Sequence, residues 1–170
     1  MLKISDFMEE TNPVVKIVNE ILEESFPLLR REVKDSISSA GFVDIFPHSD
    51  EERESLIDSI NLVAKMIHPT DRGDIYVLDE PVKTKYGEFW LVKIRIVDPT
   101  RTERGAPDFL PKDYSAFKSK YSGKEGFKVI EREDFEMMEL MSPGAKVRIY
   151  FPNKTVAETL GIHYGVKRGL

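Results

Sequence analysis

The spacing of apolar residues changes near Asp71, and this change constrains the fold more than any other feature of the sequence. Before Asp71, apolar residues recur every three or four positions in residues 13–40 and again in residues 50–67, as on one face of a helix. After Asp71, apolar and polar residues alternate, which is typical of strands with one buried face. The sequence therefore predicts N-terminal helices followed by a sheet.

Capping residues define the expected helices. Asn12 is suited to the N-cap of the first helix and Pro13 to its first turn, and Gly41 is suited to its end. Pro27 lies inside this segment, so we expect a kink or two abutting helices there. Ser49 is suited to the N-cap of the second helix.

Five strands and two short helices are expected after Asp71. In chain order they are strands 74–82 and 88–97, a helix over 113–123, strands 127–131, 135–141 and 146–151, and a helix over 153–161. The predicted fold class is α+β, with N-terminal helices followed by a mainly antiparallel sheet of about five strands in the order β-β-α-β-β-β-α. We expect a single domain over residues 1–170, with a helical subregion 1–71 and an α+β sheet subregion 72–170.

Composition narrows the functional classes. The 170 residues include no cysteine, which excludes disulfides, thiolate metal sites and cysteine nucleophiles. No apolar run is long enough to span a bilayer, and the N-terminal residues are too acidic for a signal peptide. We therefore expect a soluble, cytoplasmic protein with no membrane partner. The sequence leaves a homo-oligomer open.

The charge distribution bears on the choice of ligand. The net charge is −5, but residues 1–71 are acidic whereas residues 72–170 are mildly basic. A nucleic-acid partner is not expected from this average, although the basic part does not exclude one. A small anionic ligand is compatible with the basic part.

The predicted strand 88–97 and the charged loop 98–109 carry the candidate binding residues. Lys93 and Arg95 share one face of the strand, and Arg101 and Arg104 follow in the loop. Guanidinium groups can bind phosphate or carboxylate through two hydrogen bonds, so these four side chains predict a small anion site. The alternative is that the two loop arginines pair with nearby carboxylates and only order the loop.

Three further residues complete the candidate site. Asp108 could orient an arginine or act as a base, and Tyr114 could donate a hydrogen bond to the ligand. If the protein is an acid–base enzyme, His68 at the predicted end of the second helix is the first candidate for the proton carrier. The sequence does not decide whether catalysis occurs. The sequence does not identify a cofactor. The glycine spacing matches neither GxGxxG nor a P-loop, so nucleotide binding through these motifs is not supported.

Two other functions remain open. The acidic helices of residues 1–40 could mediate dimerisation or dock a partner in a non-catalytic interaction or regulatory protein. Small ribonuclease toxins also join N-terminal helices to an antiparallel sheet, and the chain resembles them in this respect. That resemblance implies phosphodiester cleavage by His68, Lys93, Arg95 and Arg101.

Residues Phe89–Phe151 have the predicted order β–α–β–β–β, which resembles a single vicinal-oxygen-chelate (glyoxalase-type) module. The resemblance covers about a third of the chain and rests on topology. Such modules use strand-borne His and Glu as metal ligands. Here no predicted strand carries a histidine and only Glu139 is suitably placed, so no metal ligands are predicted.

Overall fold

The computed structural model describes residues 12–163, which contain four helices and eight strands. In chain order these are α1 (Pro13–Glu32), β1 (Ile37–Ile45), α2 (Asp50–Ile60), β2 (Ala64–His68), β3 (Ile75–Thr84), β4 (Gly87–Ile94), β5 (Gly105–Pro111), α3 (Tyr114–Tyr121), β6 (Phe127–Glu131), β7 (Glu136–Leu140), β8 (Ile149–Pro152) and α4 (Val156–Leu160).

The eight strands form one mixed sheet in the order β2-β3-β4-β1-β5-β8-β7-β6. The pairs β1/β4 and β5/β8 are parallel, and the other neighbouring pairs are antiparallel. The prediction of a mainly antiparallel sheet of about five strands after purely helical N-terminal residues is therefore wrong. Strands from both sides of Asp71 belong to the same sheet.

The topology repeats along the chain. Each half has the order β–α–β–β–β, first from β1 to β4 and then from β5 to β8. In each half the first strand lies parallel to the fourth, and the two first strands, β1 and β5, join the halves side by side. The unit predicted over Phe89–Phe151 corresponds to the second half, which begins at Gly105, whereas β4 belongs to the first half.

The first missed strand is β1. The predicted helix through Ala40 ends at Glu32, because Val33 already has an extended backbone, and Ile37–Ile45 lie between β4 and β5. Residues 40–45 are all buried, since a central strand covered on both faces has no alternation of apolar and polar residues. A short apolar run of this kind does not distinguish strand from helix.

Strands β2 and β5 were also not predicted from the sequence. The second helix ends at Ile60, and Ala64–His68 pair with β3 as a short edge strand. The predicted loop 98–109 contains the start of β5, where prolines and a glycine favoured irregular structure. Gly105 is required there because a Cβ atom would lie only 2.3 Å from the carbonyl oxygen of Asp44.

The main core lies between one face of the sheet and helices α1, α2 and α3. Helix α1 begins with the expected Asn12 cap, whose side chain accepts a hydrogen bond from the Val14 amide, and it continues through Pro27 as a single helix. Its apolar face, which includes Val18 and Leu22, is fully buried in this core. That apolar face therefore packs against other residues of the same chain.

The opposite face of the sheet is only partly covered, by α4 and the residues around it. Within residues 12–163, no helix has both the length and the apolar character that crossing a membrane requires.

Candidate functional site

A cavity of about 240 Å³ lies on the sheet face opposite helices α1–α3. It spans the junction of the two halves, because its walls include residues of β1 and β4 as well as β5, β7 and β8. Helix α4 closes one side. The cavity is thus lined by residues from both halves of the sheet.

Four polar side chains on four adjacent strands form the floor of the cavity. Asp44 of β1 is directly opposite Lys93 of β4, and Asp108 of β5 is opposite Tyr150 of β8. Residues in register on neighbouring strands point to the same face of a sheet. The register therefore brings an ammonium group, two carboxyl groups and a phenol together.

Two arginines that line the cavity lie close to the same aromatic ring. The guanidinium carbons of Arg95 and Arg101 lie 5.9 and 4.8 Å from the ring centre of Phe46, within cation–π range. Arg101 Nη1 donates to the hydroxyl oxygen of Tyr150 at 3.1 Å, and Arg95 Nη1 lies 3.8 Å from Asp44 Oδ1. Arg101 Nε also lies 3.5 Å from Asp98 Oδ2, so Arg101 has closer contacts than Arg95.

Several polar atoms in the cavity have no hydrogen bond. Within residues 12–163, Nε of Arg95, Nε of Arg101, Oδ1 of Asp44 and Oδ1 of Asp108 are buried without a hydrogen-bond partner. Buried polar groups in folded proteins are nearly always satisfied, and each exception needs an explanation. Arg101 Nε lies 3.5 Å from Asp98 Oδ2, and Asp44 Oδ1 lies 3.8 Å from Arg95 Nη1, but neither contact is a hydrogen bond. All four atoms therefore retain the capacity to form a hydrogen bond with a ligand.

Burial also shifts the pKa values of the four polar side chains in the floor of the cavity. Burial raises the pKa of Asp44, and it raises the pKa of Asp108 well above its ordinary value, where the nearby charge of Asp44 adds to the effect. Burial lowers the pKa of Lys93, and it raises the pKa of Tyr150 to about 12. The two carboxyl groups thus disfavour simultaneous ionisation.

The remaining walls are largely apolar. They include Phe42, Ile75, Ile130, Met137 and Leu160, while Arg72, Arg132 and Lys154 also line the cavity. A ligand that fits would therefore carry an apolar body in addition to a charged group.

Five of the seven residues predicted from the sequence line this one cavity: His68, Lys93, Arg95, Arg101 and Asp108. His68 lies at the end of strand β2 rather than at the end of a helix, and its side chain is exposed. Within the described residues, no ion pair joins Asp108 to an arginine, so the suggestion that Asp108 orients one has no support in these contacts.

The other two predicted residues lie elsewhere. Arg104 Nη1 lies 2.6 Å from Glu52 Oε1, away from the cavity, although only three positions separate it from Arg101. The hydroxyl of Tyr114 donates to Glu136 Oε2 at 2.7 Å, on the helix-covered side of the sheet. Both loop arginines thus pair with a carboxylate, as in the alternative interpretation, because Arg101 Nε also lies 3.5 Å from Asp98 Oδ2. Arg101 nevertheless lines the cavity, whereas Arg104 does not.

Three residues of the site were not identified from the sequence: Asp44, Phe46 and Tyr150. A signal was present for two of them, since Phe42, Asp44 and Phe46 alternate in a run that is otherwise apolar. An acidic residue inside such a run indicates a buried charge with a specific environment. Tyr150 lies between Ile149 and Phe151 and gives no signal of its own.

A second buried cluster lies on the same sheet face, beyond Tyr150. Arg148 Nε is 3.0 Å from Glu103 Oε1, and Arg148 Nη1 is 3.3 Å from Glu139 Oε2. Glu139 is directly opposite Tyr150 in the register of β7 and β8. One guanidinium group therefore neutralises two buried carboxylates beside the cavity.

The metal that a glyoxalase-type resemblance implies does not fit these residues. No group of three or more His, Asp or Glu side chains suited to a metal ion occurs within residues 12–163. Arg95 lies 3.8 Å from Asp44, Lys93 interacts electrostatically with both carboxyl groups of the floor, and Glu139 is bound by Arg148. A divalent cation would have to displace these positive charges.

Comparison with known proteins supports the fold. No family model matches the chain, and no curated protein matches it significantly. The chain is similar to a solved structure described as "Structural Genomics, Protein EC4020", with a TM-score of 0.67 and 13% identity over 90% of this chain and 94% of that one. At this level of identity the similarity shows the fold alone.

Proposed function

We propose that the protein binds, and acts on, a small organic anion in the cavity between the two halves of its sheet. The observation that carries this proposal is the pair of partly buried guanidinium groups, Arg95 and Arg101, whose buried Nε atoms make no hydrogen bond within the described residues. The Nε atom of Arg101 lies 3.5 Å from Oδ2 of Asp98, too far for a hydrogen bond of good geometry. Both groups are held in place by the ring of Phe46. An anion with two oxygen atoms would satisfy both donors.

The charges that line the cavity favour an anion. The six cationic side chains oppose up to two negative charges from Asp44 and Asp108, and they are Arg72, Lys93, Arg95, Arg101, Arg132 and Lys154. The site therefore attracts a carboxylate or a phosphate, and its apolar walls favour an organic anion over inorganic phosphate. Because the cavity is smaller than the ~300 Å³ at which pockets for larger ligands begin, the ligand is a small metabolite with an apolar body.

The chain provides a matched pair of variants to test this proposal. Arg101→Met removes a cation of the cavity, and Arg104→Met removes a loop arginine of similar exposure, 25% against 19%, outside the cavity. Binding of 4-methylpentanoate, a short carboxylate with an apolar chain, is measured by calorimetry. A lost hydrogen bond to a charged group costs about 1.5–3 kcal/mol, so Arg101→Met should weaken binding by at least about tenfold.

The control variant, Arg104→Met, should bind 4-methylpentanoate as tightly as the unmodified protein does. Equal weakening in both variants, or no binding of 4-methylpentanoate and of a panel of related carboxylates by the unmodified protein, would contradict the proposal. Inorganic phosphate serves as the competing probe, and tighter binding of inorganic phosphate than of carboxylates would contradict the argument from the apolar walls.

A further inference from the structure

The two carboxyl groups of the floor are not needed for binding an anion, and they oppose it. Asp44 and Asp108 are each 5% exposed, and each has one carboxylate oxygen without a hydrogen-bond partner within residues 12–163. Both line the cavity from the two strands that join the halves of the sheet. A buried carboxyl oxygen without a hydrogen bond is costly, so two such groups beside a cationic site call for a role.

We propose that Asp44 and Asp108 are catalytic residues that move a proton between carbon 3 and the carbonyl oxygen of a bound 2-oxo acid with an apolar side chain. This inference rests on the proposed function, because the carboxylate of the substrate would be held by Arg95 and Arg101. It adds the substrate class and the reaction.

The surroundings of the two groups assign their roles. Asp44 lies 3.8 Å from Arg95 and opposite Lys93, so its ionised form is the better stabilised of the two. Asp108 has no ion-pair partner within 4.0 Å in the described part of the chain, and its pKa is the more strongly raised because of burial and the charge of Asp44. Asp44 is therefore the base, and Asp108 carries a proton that it can donate.

The step balances without any other reactant. Asp44 takes the proton from carbon 3, and the electrons of that C–H bond form a double bond between carbons 3 and 2. The electrons of the carbonyl double bond pass to its oxygen, which takes the proton of Asp108, and the product is the enol. Asp44 ends protonated and Asp108 ionised, so the net charge of the pair is unchanged.

Lys93 makes this exchange of charge feasible. Its ammonium group interacts electrostatically with both Asp44 and Asp108, so it stabilises whichever of them is ionised. The hydroxyl of Tyr150 lies in register with Asp108 and could also face the developing oxygen charge. When Asp44 returns a proton to carbon 3, the substrate is restored. In D2O, the proton on Asp44 is first replaced by deuterium from the solvent, so the returning deuterium labels carbon 3.

Hydrogen exchange at carbon 3 of 4-methyl-2-oxopentanoate in D2O tests the inference, because NMR follows the loss of that signal directly. General acid–base catalysis contributes about 10²–10⁴-fold, so the protein should accelerate exchange by at least about 100-fold over buffer. Asp108→Asn should remove most of this acceleration. Asp58→Asn, which alters an exposed aspartate of α2, should leave it unchanged.

The outcomes separate this inference from the proposed function. If 4-methylpentanoate binds but exchange is no faster than in buffer, the inference is wrong and the binding proposal stands. If Asp108→Asn retains the full exchange rate, the inference is also wrong. If neither compound interacts with the unmodified protein, both are wrong. Asp44→Asn provides a second variant, in which exchange should be lost while 4-methylpentanoate still binds.

Discussion

Asp108→Asn is expected to change the way in which stability depends on pH. The native pKa of Asp108 lies well above 3.8, its ordinary value, because the side chain is buried and lies near the charge of Asp44. Between the unfolded and native pKa values, the native state therefore binds more protons than the unfolded state. Stability falls as the pH rises through this window, and asparagine, which does not titrate, removes that loss.

The size of the effect follows from the linkage. Within the window each pH unit lowers the free energy of unfolding by about 1.4 kcal/mol. For a chain of this length, each kcal/mol changes the melting temperature by about 2–4 °C, so the slope due to Asp108 is about 3–6 °C per pH unit. The attraction of Lys93 opposes burial, but the net direction is upward. The amide of the variant adds a constant cost that does not depend on pH.

Thermal unfolding from about pH 4, near the ordinary pKa of an aspartate, upward measures this slope. The melting temperature of Asp108→Asn should fall less with rising pH than that of the unmodified protein, and the two curves should diverge toward high pH. Asp58→Asn should run parallel to the unmodified protein, because Asp58 is exposed. Parallel curves for Asp108→Asn would refute the assignment of a raised pKa.

Three other perturbations have expected outcomes. Arg148→Met leaves Glu103 and Glu139 buried without their cation, which should cost about 3–5 kcal/mol in chemical denaturation; a loss below 1 kcal/mol would show that the ion pairs are not structural. Gly105→Ala places a methyl group 2.3 Å from the carbonyl oxygen of Asp44, so we expect a loss of about 1–3 kcal/mol or more, and unchanged stability would contradict the close packing of β1 and β5. Total RNA incubated with the protein should remain intact on a gel, and degradation above that of a mock preparation would favour the ribonuclease alternative.

The sequence predicted the later part of the fold better than the earlier part, for a physical reason. Strands β6 and β7 and helix α3 have clear turns or caps at their ends, and their predicted ranges agree with the structure to within about two residues. Strand β1 has no such signals at its ends, because residues 40–45 are buried on both faces of the sheet and apolar and polar residues do not alternate regularly there. Its burial is a property of the whole sheet and is not encoded locally.

The same reason explains the candidate site. Lys93 and Arg95 could be found because their strand was recognised, and the alternation of a strand determines which side chains share a face. Asp44 could not be placed without β1, and Tyr150 belongs to the site only through pairing of β5 with β8. Arg104 shows the converse, since closeness in sequence to Arg101 did not place it in the cavity.

The most direct test of the account observes the two guanidinium groups themselves. In ¹⁵N–¹H spectra, the Nε–H signals of Arg95 and Arg101, assigned by Arg→Lys variants, are followed as 4-methylpentanoate is added. The account predicts that both signals shift and saturate together, while that of the exposed Arg31, whose Nε already lies 2.8 Å from Glu32, does not. Saturable binding without movement of either cavity signal would contradict the claim that these buried donors hold the anion.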